Sequence, residues 1–190
     1  MTTPILTRRA ALLGGVAAVG GALAHGASPA AAAPSATDVR ILNFVLRLEE
    51  LEAAFYAAAL DRGAVRGELR EFADVVFSHE RQHVELLRDA LGAKADPKPR
   101  MRFGEAVTSG KRFVAAATTL EDTVVAAYNG QAANLSAAVL GAAARIVSVE
   151  ARHAAWIRAI AGKPPAEDAT DRPATEGEVR AAVKRLGFLR

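Results

Sequence analysis

One helical hairpin is written twice in this chain. Leu48-Glu49-Glu50 is followed by Tyr56, and Leu120-Glu121-Asp122 is followed by Tyr128. Further along, Ser78-x-Glu80-x-x-His83 leads to Arg88, and Ser148-x-Glu150-x-x-His153 leads to Arg158. The offset is 72 residues from Glu49 to Glu121 and 70 from Glu80 to Glu150. A glutamate seven residues before a tyrosine, nearly two helical turns, shares a face with it. A Glu and a His three apart also share a face, one turn from each other.

The rest of the pattern agrees with helices. Aromatic residues make up only 5% of the chain while alanine is abundant, which favours closely packed helices over a sheet. Ile41, Val45, Leu48, Phe55 and Ala59 recur at three- and four-residue steps from Asp38 to Arg62. Thr37 or Asp38 is the expected start cap and Gly63 the stop. A second helix is predicted from about Arg66 to Leu91, stopped by Gly92. Residues 93–110, with Pro97, Pro99 and Gly104, read as a long connection. Helices over about Lys111 to Ala133 and Ser136 to Ala161 follow. Thr175 and Glu178 form a capping box for a short tail helix bearing Val179, Val183 and Leu186. The predicted fold is all-α: a four-helix bundle over residues 37–162, made of two antiparallel hairpins joined by a long crossover. Residues 163–190 form a linker and a docked C-terminal helix. Among four-helix bundles this connectivity is the ferritin-like one.

Composition excludes several functions. With no cysteine there is no disulfide, thiolate metal site, iron–sulfur cluster or cysteine nucleophile. The formal net charge is +3, and +1 without Arg8 and Arg9. No dense basic stripe with interleaved aromatics is present, so nucleic acid is not an expected partner. Thr7-Arg8-Arg9 precedes an uncharged apolar run from Ala10 to Ala24 and then small residues through Ala33. Residues 1–33 therefore read as an export signal, cleaved between Ala27 and Ala33. Its paired arginines resemble a twin-arginine signal, although Ala10-Ala11-Leu12 replaces the usual Phe-Leu. That resemblance implies passage of the folded protein to the periplasm or beyond. The run is shorter than the ~20 apolar residues of a comfortable membrane span. An uncleaved anchor is the alternative.

The repeated glutamates do not belong on apolar stripes for packing. A buried carboxylate is protonated, paired or given a metal. Four carboxylates and two imidazoles facing one axis have too few cationic partners, and two divalent cations would balance them. Carboxylate and imidazole together suit iron or manganese. Two glutamates plus two Glu-x-x-His pairs is the layout of di-metal carboxylate bundles. The candidate ligands are Glu49, Glu80, His83, Glu121, Glu150 and His153.

These residues resemble the ferritin-like superfamily, near bacterioferritin and rubrerythrin in ligand pattern. Asn43-Phe44-Val45-Leu46-Arg47-Leu48-Glu49, Leu120-Glu121-Asp122-Thr123 through Tyr128-Asn129-Gly130, and Val149-Glu150-Ala151-Arg152-His153 look like an exported subfamily that includes plant desiccation-related proteins. The resemblance covers about Asp38 to Gly162. It implies that Glu49 and Glu121 each bind one metal terminally and that Glu80 and Glu150 bridge. It also implies that His83 and His153 each ligate one ion, with Tyr56 and Tyr128 behind the ligands. Arg81 follows Glu80 where a haem-binding methionine would stand, so no haem is expected. Without cysteine there is no rubredoxin-like module.

His79-Glu80-Arg81-Gln82-His83 also matches the zinc-protease motif, which leaves Glu150, His153 and the repeat unexplained. Glu52 lies one turn from Glu49, and its repeat partner is Val124, so Glu49 is the preferred ligand. Glu85 reads as solvated, Trp156 as packing, and Arg88 and Arg158 as surface charges. The expected function is a di-iron protein that reacts with O2 or peroxide, like a ferroxidase or oxidoreductase. A non-enzymatic desiccation or stress protein and a manganese-dependent peroxide dismutase are the alternatives. A homodimer is compatible with this reading and is not required by it.

Overall fold

The computed structural model describes residues 33–189, and the expected export signal lies outside them but for Ala33. Five helices follow in order: α1 (Ala36–Asp61), α2 (Glu68–Leu91), α3 (Gly110–Gln131), α4 (Ala137–Ile160) and α5 (Glu176–Leu186). Single 3-10 turns lie at Gly92–Lys94, Gly104–Val107 and Ala132–Asn134. Among the described residues the only β feature is an isolated bridge between Met101 and Leu189. No described helix is long and apolar enough to cross a membrane.

α1 and α2 form one hairpin, and α3 and α4 the other. Contacts between the hairpins fix their direction. Tyr56 meets Glu121 while Tyr128 meets Glu49, so α1 and α3 run antiparallel. Glu80 meets His153 while His83 meets Glu150, so α2 and α4 do too. The crossover therefore carries the chain the length of the bundle between the parallel helices α2 and α3. Asn43 holds its start: the side chain donates to the Lys94 carbonyl at 2.9 Å and accepts from the Asp96 N–H at 2.7 Å.

The start of α1 differs from the expected cap. Ser35 is the N-cap, and its hydroxyl accepts from the Asp38 N–H while the Asp38 carboxylate accepts from the Ser35 N–H. The other Asp38 oxygen accepts from the Ser136 N–H at 2.9 Å, so one carboxylate serves the first turns of both α1 and α4. The Ser136 N–H, with the Ser35 hydroxyl, holds the Asp38 carboxyl down at about 2. Thr175 and Glu178 form the predicted capping box of α5.

The tail docks. Val179 and Val183 are buried, and Phe188 joins Phe55 and Phe103 with ring centroids 5.7 and 5.2 Å away. Phe55 also stacks on Phe113 at 5.0 Å, so α1, α3, the crossover and the tail share one apolar cluster. The linker before α5 lies directly on α3, where the Ala174 N–H donates to the Ala126 carbonyl at 2.9 Å. Gly130 permits this approach: a Cβ there would stand 1.8 Å from the Ala174 carbonyl oxygen. Helix propensity alone predicts that Gly130→Ala gains about 1 kcal/mol. The clash with backbone predicts instead a loss of about 1–3 kcal/mol, with faster proteolysis between Gly162 and Thr175. Urea unfolding and limited proteolysis distinguish the two signs.

Candidate metal centre

Each helix of the bundle contributes to one interior cluster. Glu49 comes from α1, Glu80 and His83 from α2, Glu121 from α3, and Glu150 and His153 from α4. The four glutamates are 0% exposed, His83 6% and His153 3%. Nδ1 of His83 lies 2.8 Å from Glu150, 3.1 Å from Glu49 and 3.4 Å from Glu80. Nδ1 of His153 lies 3.1 Å from Glu80, 3.5 Å from Glu150 and 3.6 Å from Glu121. Glu80 and Glu150 each turn one oxygen toward His83 and the other toward His153. The structure thus brings all six expected residues together in two pseudo-symmetric halves, with these two carboxylates spanning both.

The tyrosines sit behind this cluster in a crossed arrangement. Tyr128 donates to Glu49 at 2.6 Å and Tyr56 donates to Glu121, so each tyrosine serves the glutamate of the other repeat. Seven helical residues rise ~10 Å, too far for a tyrosine to reach its own glutamate, while the antiparallel neighbour presents one directly. The two arginines differ from the surface charges expected. Arg88 pairs with buried Glu50, and Arg158 pairs with Asp122 at 2.7 Å. Each arginine ties its hairpin together one residue beyond the interior glutamate, a second regularity of the duplication.

Electrostatics make the cluster costly without a cation. Burial pushes the Glu80 carboxyl up, with the charges of Glu150 and Glu49 adding to it. Burial raises Glu121 to about 7 against the pull of the neighbouring His153. Glu150 is held low because the His153 and His83 imidazoles beside it outweigh its own burial. Burial disfavours charge on both imidazoles, yet the surrounding carboxylates push His83 and His153 up to about 12. Both are therefore imidazolium at neutral pH in the metal-free protein. Burial, then the charge of the glutamate each one meets, raises both tyrosines. Even so, both oxygens of Glu80 and of Glu150, and Oε2 of Glu121, have no hydrogen-bond partner. Orphaned buried carboxylate oxygens beside imidazole nitrogens are the donor set of a hard or borderline divalent ion. Glu49, Glu80, His83 and Glu150 bring ligand atoms within 4.8 Å of one another, as do Glu80, Glu121 and His153. These groups can hold metal ions.

Two further residues adjoin the cluster, one buried and one at its edge. Glu52 is 0% exposed and groups with Glu121 and Glu150. Burial, then the Glu121 charge, drives its carboxyl well up. Its helical phase placed it near the apolar stripe, but only the position of α3 decides that it faces the cluster. His79 stacks on His153 with centroids 5.2 Å apart, and its Nδ1 lies 2.9 Å from His153 Nε2. It joins none of the three potential metal groups among the described residues, which argues against the zinc-protease reading. Glu85 is exposed as expected, and Trp156 packs edge-on against Phe72 at 5.2 Å.

A family model described as a ferritin-like domain matches residues 37–163. The chain belongs to the ferritin-like domain family. That match spans all four bundle helices and every residue of the cluster, and it stops before α5. Comparison with curated proteins gave no match. The ferritin-like domain also has an open side: a groove of about 620 Å³ between α2 and α4, walled by Leu42, Leu87, Val139 and Ile146, reaches His79 and His83.

Proposed function

We propose that this protein holds two iron ions at Glu49, Glu80, His83, Glu121, Glu150 and His153 and uses them to react with O2 or peroxide. The observation that carries this is the set of fully buried carboxylates drawn from four helices onto two imidazoles, with both oxygens of Glu80 and of Glu150 unpartnered. Such an ion pair, bound as Fe(II), supplies two electrons to O2 or peroxide. Glu49 and His83 would hold one position, Glu121 and His153 the other, and Glu80 and Glu150 would span both. Tyr128 and Tyr56 orient the two terminal carboxylates, and the Arg88–Glu50 and Arg158–Asp122 pairs fix the helices that carry them. The groove gives small apolar reactants such as O2 a route to the His83 side.

Titrating the metal-free protein with Fe(II) under anaerobic conditions, then admitting oxygen, tests the reading. Two Fe(II) per chain and oxidation faster than in buffer are expected. The His83→Ala, His153→Ala double variant is expected to lose both. Iron oxidation no faster than buffer would count against a redox role. Manganese suits the same donors, and elemental analysis of protein from its native compartment separates the two metals. A bundle serving only to protect other proteins during drying is less well supported, since buried carboxylates weaken a scaffold unless a cation binds. Export to the periplasm or beyond is part of the proposal and rests on Arg8-Arg9 and the apolar run after them; cell fractionation checks it.

A further inference from the structure

The duplication makes the site nearly symmetric, and two polar residues break that symmetry. Repeat spacing sets Glu52 against Val124 and His79 against Val149. Both additions fall on the same half of the cluster. Glu52 groups with Glu121 and Glu150, and His79 meets the outer nitrogen of His153. Neither Glu52 oxygen has a hydrogen-bond partner, although the residue is 0% exposed. A protonated carboxyl would still want an acceptor for its proton, and none is in reach. The buried, unpartnered side chain therefore points to a cation.

We infer that Glu52 is a seventh metal-binding side chain, which makes the Glu121–His153 position the tighter of the two. This rests on the two-ion reading above and assigns a difference within it. The Glu49–His83 position draws on Glu49, Glu80 and Glu150, three carboxylates with one imidazole. The other position has two groups that share Glu121: Glu80, Glu121 and His153, and Glu52, Glu121 and Glu150. An added anionic oxygen strengthens binding of hard cations, and more so as their charge rises. His79 reinforces the same half: with Nε2 of His153 engaged, Nδ1 is left facing the carboxylates, the usual way an outer partner orients a ligating imidazole.

Calorimetric titration of the metal-free chain with Mn(II) alone decides the matter, with helix content checked by circular dichroism. The wild type is expected to bind two ions with unequal affinities. Glu52→Gln keeps the side-chain shape and removes the charge. It is expected to weaken the tighter step at least about tenfold and leave the weaker step within about twofold. Glu52→Val installs the residue found at the equivalent repeat position and is expected to bring the two affinities together. It decides the question should Glu52→Gln fold poorly. Two ions bound by both variants with wild-type affinities would overturn the role of Glu52 while leaving the two-ion site standing. Fewer than two ions bound by the wild type would overturn both.

Discussion

Stripping the ions from the loaded protein is expected to lower its melting temperature by about 10–20 °C. A ligand that binds only the folded state stabilises it by about 2.7 kcal/mol at one hundred times its dissociation constant, so two filled sites contribute about 5 kcal/mol. In a domain of this size each kcal/mol shifts the midpoint by about 2–4 °C. The expected shift is large because the metal-free interior is poorly matched. Glu52, Glu80, Glu121 and Glu150 keep orphaned oxygens, and only two imidazoles stand among them. The stripped protein nonetheless stays folded, since Phe55, Phe72, Phe113, Leu46, Leu51 and Ile157 form an apolar core that needs no ion. Calorimetric melts with and without a chelator measure the difference. A shift of less than about 2 °C at saturating metal would contradict the account.

Metal affinity is expected to fall steeply as pH drops, by about 100-fold per pH unit for the pair of ions around neutrality. The sign follows from His83 and His153. Each is pushed up to about 12 in the metal-free fold by the carboxylates around its Nδ1, so each carries a proton that a metal must displace. Every displaced proton changes the apparent binding constant about tenfold per pH unit, and two imidazole protons make that about 100-fold. Protons leaving Glu80 or Glu121 steepen the dependence further, because burial raises both. The same imidazolium charges stabilise the metal-free protein. Their contribution is fully present below the unfolded value of about 6.5 and is lost only as pH climbs toward about 12. Acid therefore releases metal while both imidazoles of the empty bundle stay protonated. Proton release during titration in two buffers of different ionisation enthalpy checks the stoichiometry. Release of fewer than one proton per pair of ions would contradict this picture.

Much of the fold was legible because the helical period and the duplication reinforce each other. Glu49 with Glu121 and Glu80 with Glu150 could be found from spacing alone, since i, i+3 and i+7 relations hold in any α-helix. What spacing omits is contact between helices. The crossed tyrosine pairs follow from α1 and α3 running antiparallel, which is a property of the assembled bundle. The same holds for Arg88 and Arg158: their repeat positions were visible, but their partners Glu50 and Asp122 lie across the hairpin. Glu52 was ambiguous for a related reason. Its phase on α1 borders the apolar face, and only the closeness of Glu121 and Glu150 shows that it looks inward. The start of α1 was misplaced for a local reason. Thr37 and Asp38 are both good caps, yet Asp38 also serves Ser136, so Ser35 takes the cap and Asp38 closes the box. Gly130 carried no visible role, because a close approach by Ala174 from the tail leaves no mark in helix periodicity.

Anomalous X-ray scattering from crystals of the iron-loaded protein, collected on either side of the iron edge, tests the metal centre most directly. Two peaks are expected in the bundle interior, one beside Nδ1 of His83 and one beside Nδ1 of His153, with Glu80 and Glu150 touching both. Iron peaks confined to the protein surface, with these six side chains still paired among themselves, would contradict it.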